Sequence, residues 1–379
     1  MRSSVRLVVL GNGAPGAEKQ AMALSQRLCK KIADDQRAKR SNVICLSIEY
    51  VRVSLKRAFW LPPQLQVYGA NLLRNPFFGY NDFDMNQLVP KAHESSALNV
   101  FIGCGRSTVA LCALLKQRQP TRTFNVQIQH PRVSLAWFDT VIAPRHDFTT
   151  TTRRADNLLL TSGTIHDITP EVLLQHDSTW KDNLNDKLQG RQKRVVWLVG
   201  GPCRGFAFTK QETKQMVDDF SQALPHEDEL AVLVTFSRRT PRHVQTILQH
   251  ELNARFANPG QLLIFQGTEV QNPYVALLAT ASFIVTTPDS VAMTTEAVAS
   301  GKPVFTIGLN LCKGKFRRFH QHLLSMKATA PLTALRATTT LQCHSIQKHS
   351  SASTVLESEL SAITDSIVKR IYQALPTTN

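Results

Sequence analysis

The sequence lacks any apolar run long enough to cross a membrane. Its apolar runs, such as residues 275–278 and 283–285, are broken by Thr, Ser or Pro and fall far short of the roughly 20 residues a span requires, so no transmembrane helix is expected. Cysteine is sparse: seven residues, dispersed and without C-x-x-C spacing, which argues against a zinc site or a disulfide framework and fits a reducing compartment. Acidic residues are few, 28 against 44 Lys plus Arg, for a net charge of +16. That imbalance suits an anionic partner: nucleotide phosphate, nucleic acid or an anionic membrane surface. The cations come in short clusters (Lys30-Lys31, Lys39-Arg40, Lys56-Arg57, Arg153-Arg154, Lys193-Arg194, Arg238-Arg239) without interleaved aromatics, so nucleic acid is not an expected partner. There is no H-E-x-x-H, Walker A lysine or G-x-S-x-G, which removes support for zinc hydrolysis, P-loop phosphotransfer and α/β-hydrolase chemistry. Asp82-Phe83-Asp84 has D-x-D form, but it lies in an irregular stretch and reads as loop polarity, so no metal site is expected.

What is present is a repeated alternation of strand and helix signals. With 379 residues and 42% hydrophobic content, the chain can bury two cores of ordinary domain size. Residues 1–10 combine charge and apolarity like a targeting peptide, but they run straight into a glycine turn that needs a preceding strand. Strands are expected at 5–10, 43–48, 100–102 and 124–128, with a helix over 17–32, which is βαβ order and a parallel sheet. Residues 61–90 break the pattern with Pro62-Pro63 and Asn75-Pro76 and read as an insertion of loops and a short helix. Thr169-Pro170-Glu171 is a helix start, and the polar stretch 177–194 reads as a linker. The alternation then restarts, with strands at 195–199, 231–236, 262–265, 283–286 and 304–307. Residues 328–353, rich in Thr, Ser and His, read as surface structure. Leu356, Leu360, Ile363, Ile367 and Ile371 form one apolar stripe on a final helix. The expected fold is α/β: two doubly wound Rossmann-like domains over 1–185 and 190–352, with a C-terminal helix at 353–379 packed across them.

The candidate sites lie where strands end. Gly11-Asn12-Gly13-Ala14-Pro15-Gly16 matches G-x-G-x-x-G, whose bare amides can hold an anion. Pro15 removes one amide, however, and Glu49 comes later than a dinucleotide fingerprint expects, so a structural turn is at least as good a reading. Gly103-Cys104-Gly105-Arg106-Ser107-Thr108 is a second such turn, with Ser107 or Thr108 as a helix cap and Arg106 suited to a carboxylate or phosphate. Gln129-His130-Pro131-Arg132 and Pro144-Arg145-His146-Asp147 make His130 and His146 candidate general bases with Asp147 as a partner; loop hydrogen bonding explains each equally well. In the second half, Gly200-Gly201 and the Arg238-Arg239 pair are candidates for a diphosphate, with Thr240-Pro241 as a cap and first-turn proline. Thr287-Pro288-Asp289-Ser290, a helix bearing Glu296 and then Gly301-Lys302-Pro303 complete the most specific stretch. Amides and Ser290 at a helix start can bind phosphate, and Glu296 two turns on can accept ribose hydroxyls. This arrangement is similar to that of nucleotide-sugar transferases of the GT-B class.

Residues 11–20, 102–108, 126–132, 138–147, 163–173, 237–244 and 282–308 together resemble the plant mitochondrial fission factor (elongated-mitochondria) family, which also has bacterial members. The blocks Gln127-Ile128-Gln129-His130-Pro131-Arg132, Pro144-Arg145-His146-Asp147 and Ser237-Arg238-Arg239-Thr240-Pro241 carry it, and it extends to Lys315-Phe316 and Phe319-His320. Asn12 and Lys19 depart from the family's aspartate and asparagine, beside retained Glu18 and Gln20. The resemblance implies a GT-B-like scaffold. For plant members it also implies a cytoplasmic protein, peripheral on the outer mitochondrial membrane, that helps localise a dynamin-related GTPase; a bacterial member would be plainly cytoplasmic. Two readings therefore stand: a mitochondrial fission adaptor, or a metal-independent glycosyltransferase that takes a nucleotide sugar and no other cofactor.

Overall fold

The computed structural model describes residues 3–56, 61–81, 88, 97–148, 155–224, 229–267, 271–336 and 344–375. Asp82 and Asp84 lie outside them. The chain divides into two compact units, Met1–Asp167 with Ser358–Asn379, and Ile168–Glu357.

Unit 1 alternates β1 (Ser3–Gly11), α1 (Pro15–Arg37), β2 (Val43–Arg52), α2 (Pro63–Leu72), β3 (Leu98–Cys104), α3 (Val109–Arg118), β4 (Thr123–Ile128), β5 (Thr140–Pro144) and β6 (Leu158–Thr161). The strands form one parallel sheet in the order β2-β1-β3-β4-β5-β6. Parallel sheets are covered on both faces, so their strands read as continuous apolar runs instead of alternating ones. β3, β4 and β5 are buried at every position. Within β4 the buried Asn125 and Gln127 are exceptions in kind, and their amides are paid in hydrogen bonds: Asn125 Nδ2 donates to the carbonyls of Cys112 (2.9 Å) and Trp137 (3.0 Å), and Gln127 Nε2 to that of Ile128 (2.9 Å). Arg6, 1% exposed on β1, is held by Glu49 of β2 through two hydrogen bonds (3.1 and 2.5 Å) and by Asn99 of β3 (3.1 Å).

Unit 2 contains α4 (Pro170–Lys187), β7 (Lys193–Val199), α5 (Lys210–Ala223), β8 (Leu230–Phe236), α6 (Arg242–Arg255), β9 (Leu262–Phe265), α7 (Tyr274–Thr280), β10 (Phe283–Thr286), α8 (Val291–Ala299), β11 (Val304–Thr306), α9 (Gly314–Ser325), β12 (Ala330–Pro331) and α10 (Thr333–Arg336). Its sheet is also parallel, ordered β12-β11-β10-β7-β8-β9. The polar stretch 177–194 is not an open linker. Most of it is α4, capped by Thr169, whose hydroxyl accepts the Val172 N–H at 3.3 Å. A helix needs only a narrow apolar stripe to dock, and Leu173, Trp180, Leu184 and Leu188 supply it against the unit 2 core. Nor is the Thr-rich stretch after Lys327 all surface, because Ala328, Thr329, Leu332 and Leu335 are buried around β12. α5 carries a reciprocal capping box between Thr209 and Glu212.

The last helix, α11 (His344–Ala374), runs through both units. Its Ala352 and Leu356 join the unit 2 core, while Leu360, Ile363, Ile367 and Ile371 join that of unit 1. Truncating the fully buried Ile367 to Ala should therefore cost about 2–5 kcal/mol in urea denaturation, as for other aliphatic core truncations. Val355→Ser, at a half-exposed position of the same helix, should change stability by less than about 0.5 kcal/mol.

Candidate functional site

In open parallel sheets the place where strand order reverses leaves a crevice at the carboxyl ends. In unit 1 that point lies between β1 and β3, and in unit 2 between β7 and β10. The glycine turns singled out from the sequence stand at these two points.

At the unit 2 switch point, Gly200 and Gly201 follow β7, and Thr287, Pro288, Asp289 and Ser290 follow β10. The Gly201 N–H donates to Asp289 Oδ2 at 2.8 Å, the Gly200 N–H donates to Thr287 Oγ1 at 2.8 Å, and the Thr287 hydroxyl bonds Asp289 Oδ1 at 2.7 Å. A Cβ on Gly200 would lie 2.2 Å from the Asp289 carboxylate, and one on Gly201 would lie 2.3 Å from the Arg239 carbonyl oxygen. These glycines are thus required by the chain's own packing. Asp289 is 2% exposed and ion-pairs with Arg239 at 3.0 Å. Burial raises its pKa, against the lowering effects of Thr287, Gly201 and Arg239. Of the two adjacent arginines, Arg239 reaches this centre, while Arg238 is exposed and no hydrogen bond or ion pair holds it among the described residues. Thr240 does not cap α6. Its hydroxyl bonds the carbonyls of Val199 (3.1 Å) and Gly200 (2.6 Å), and the helix opens from Pro241.

Ser290 caps α8, its Oγ accepting the Met293 N–H at 3.3 Å. Glu296, buried on the same helix, accepts a 2.6 Å hydrogen bond from the Tyr274 hydroxyl of α7. Behind this turn His320 of α9 is 1% exposed, and its Nε2 bonds the Pro288 carbonyl at 3.0 Å. Burial pushes its pKa down to about 4.

The unit 1 switch point repeats the pattern. The Gly13 N–H donates to the Glu18 carboxylate, which also accepts from the Tyr50 hydroxyl at 2.8 Å. Asn12 accepts the Ala14 N–H at 2.9 Å and donates to the Cys104 carbonyl at 3.1 Å. Tyr50 lies over Gly11, where a Cβ would be 2.2 Å from its hydroxyl, whereas a Cβ on Gly16 would meet nothing within 4 Å. Glu49, which comes too late for the dinucleotide fingerprint, is the ion-pair partner of Arg6. Near the end of β3, Gly103 is pressed by Thr108 and Gln127, and just after the strand Gly105 adopts a left-handed φ of 83° beside Asn12. Thr108 Oγ1 turns back to the Gly105 carbonyl (3.0 Å), and no hydroxyl caps α3. Arg106 is exposed at the start of this turn.

After β4, Gln129 and Arg132 both have left-handed φ values, 72° and 61°, a conformation that costs non-glycine residues energy and clusters at functional sites. Between them His130 stacks on Phe148 (centroids 4.7 Å apart, planes at 13°), and its Nδ1 accepts the Arg132 N–H at 3.1 Å. The neutral ring therefore carries its proton on Nε2 and presents a donor there. Burial and Arg132 lower its pKa, partly offset by nearby Asp147. His146 is buried in the helical turn Arg145–Asp147, with Asp147 half-buried beside it. The structure thus brings His130 and Asp147 together across β4 and β5.

Compared with known proteins, the chain matches the family described as Mitochondrial fission ELM1 over residues 15–360. The chain belongs to this family. Mitochondrial fission protein ELM1 of Arabidopsis thaliana is 28% identical over a 363-residue alignment covering 84% of this chain and 82% of the relative. The uncharacterized protein RP120 of Rickettsia prowazekii is 24% identical over 307 residues, covering 72% of this chain and 81% of the relative. Among solved structures, the S. aureus MnaA–UDP co-structure has a TM-score of 0.53 at 12% identity, covering 99% of this chain and 98% of that one. The E. coli trehalose-6-phosphate structure bound with UDP-2-fluoro glucose has a TM-score of 0.54 at 10% identity, covering 97% and 99%. The scaffold is GT-B-like, as the resemblance implied. The blocks at Gln129–Arg132, Pro144–Asp147 and Ser237–Pro241 that carried the family likeness all sit at carboxyl ends of strands.

The sequence reading passed over Arg239 as distinct from Arg238, the seat of Asp289, and the pairing of Glu296 with Tyr274. An acid three residues after a buried strand at a switch point was the available signal for Asp289.

Two measurements test this geometry. Gly200→Ala should cost about 1–3 kcal/mol, as overpacking does, whereas Gly16→Ala should be neutral or stabilising by up to about 1 kcal/mol; equal effects in urea denaturation would contradict the packing described. His320 gives the second. Its folded pKa lies below the unfolded one, so its contribution is complete above the unfolded value of about 6.5 and is lost as pH falls toward about 4. The loss is of order 3 kcal/mol. His320→Gln, which keeps an N–H for Pro288, should remove that portion of the pH dependence, and an unchanged slope between pH 4 and 6.5 would refute the assignment.

Proposed function

We propose that the chain is a non-enzymatic adaptor for mitochondrial division, peripheral on the outer mitochondrial membrane, that helps localise a dynamin-related GTPase. Support comes from family membership and, above all, from one structural observation. At both switch points, backbone amides that would cradle a phosphate already hold the chain's own acceptors, Glu18 on Gly13 and Thr287 and Asp289 on Gly200 and Gly201. A phosphate at Gly201 would meet a carboxylate. Among the described residues no helix is long and apolar enough to cross a membrane, which is compatible with peripheral attachment.

A second reading, a nucleotide-sugar-dependent glycosyltransferase, is favoured by Ser290 and Glu296 on α8 and by the UDP and UDP-sugar named for the two structural neighbours. In that reading His130, His146 and Asp147 would supply proton transfer, and Arg238 the phosphate contact. A thermal-shift screen of the purified chain with UDP and UDP-sugars separates the two. The adaptor predicts no shift, whereas a ligand at about 100 times its Kd would add about 2.7 kcal/mol of apparent stability. If a nucleotide does bind, loss of one charge-assisted hydrogen bond in Glu296→Gln should weaken it about tenfold or more by calorimetry. Binding untouched by Glu296→Gln and Arg238→Ala would exclude that site.

A further inference from the structure

We infer that the outward face of α2 docks on an anionic phospholipid surface. The inference rests on the peripheral-membrane part of the adaptor reading and names the surface that would serve it. α2 is apolar on two opposite sides. Its inner side is buried, with Val67 and Ala70 packed against Ala110 and Leu114 of α3. Its outer side carries Leu65, Tyr68 and Leu72, which are 53%, 68% and 71% exposed. At about 100° per residue these three fall within roughly 60° of one another, centred about 180° from Val67 and Ala70. A surface helix needs one apolar stripe to dock on its own core; the second one here faces solvent. Leu61 and Leu73 extend the stripe at both ends, so five of the nine large exposed hydrophobics among the described residues lie within 13 positions of sequence. Clustering of that kind marks an interaction site, unlike apolar residues scattered singly.

Charge selects the occupant. Residues 50–81 contain no Asp or Glu, while the exposed Arg74 directly follows the stripe and the exposed Arg52 and Lys56 precede it in sequence. Leu and Tyr bracketed by cations are the chemistry of an interfacial helix: the apolar side chains enter the boundary, the phenol stays at its polar edge, and Lys and Arg meet headgroup phosphates. Two copies packed through this face about a two-fold axis would bring Arg74 of each toward the same like-charged face of the other, which disfavours a second chain as the occupant.

Flotation of the full chain with vesicles tests the inference. The chain should float with phosphatidylcholine vesicles containing phosphatidylserine and not with phosphatidylcholine alone. The triple variant Leu65→Ser, Tyr68→Ser, Leu72→Ser should keep the melting temperature and lose at least tenfold in partitioning, and Arg74→Gln should lose about fivefold. As a check independent of the triple variant, Tyr68→Trp should show an emission shift to the blue, beyond that of the wild type, on adding the anionic vesicles. If wild type and triple variant float alike, α2 is not the docking face although the peripheral-membrane reading survives. If the wild type floats with neither vesicle, both fall. A wild-type dimer in solution that the triple variant dissociates, without flotation, would overturn the inference in favour of self-association.

Discussion

Every buried backbone N–H must find an acceptor, and at the end of a parallel strand that turns sharply through glycine no ladder partner remains to supply one. This requirement organises the switch point of unit 2. In unit 2 the acceptors are Thr287 and Asp289, delivered by the strand next to β7. In unit 1 the corresponding Gly13 N–H is exposed, and it too is taken by an internal acceptor, Glu18 from the first turn of α1. Once Asp289 is seated it dictates its surroundings: no side chain fits at Gly200, Arg239 is drawn in to balance the charge, and Thr240 ties the β7 end to the start of α6. The α9 histidine completes the turn from behind by holding the Pro288 carbonyl.

The consequence for function is chemical. A GT-B-like scaffold concentrates amides and helix starts at its switch points, where anions are ordinarily received. Here those positions are closed by internal carboxylates, while polar residues remain grouped at neighbouring strand ends. Gln129 and Arg132 hold left-handed backbones on either side of His130, and His130 is kept as a stacked, neutral donor beside Asp147. A fold of this kind does not by itself decide between recognition of a partner and catalysis at such a surface.

The proposed membrane docking draws on other parts of the molecule. The excess of Lys and Arg sets a long-range attraction to anions, but long-range charge gives no orientation. A short helix with a second apolar side supplies a defined contact, because only one face of α2 has no protein to cover it.

Most strands were legible in the sequence because a parallel sheet buried on both faces demands uninterrupted Val, Ile and Leu runs, and the same logic exposed the apolar stripe of α11. Glycine turns after β1, β3 and β7 were legible too, since only glycine tolerates such close approach. β6 escaped notice because its few residues, Leu158–Thr161, sit at an edge, and α4 was taken for a linker because one narrow stripe suffices to dock it. What those turns hold was a different matter. Pattern and spacing establish that amides are presented; which group accepts them depends on side chains brought from 5 to 88 positions away. The same limit applied to Arg238 and Arg239, indistinguishable as neighbours in sequence, of which the β8 end directs only the second to Asp289. The sequence by itself determined the α/β class, the family and the location of polar residues at strand ends, because these follow from local periodicity and motif. Only the tertiary structure decided that the cradles are filled from within and that α2 shows an apolar side to solvent, because both depend on which surfaces meet when the chain is packed.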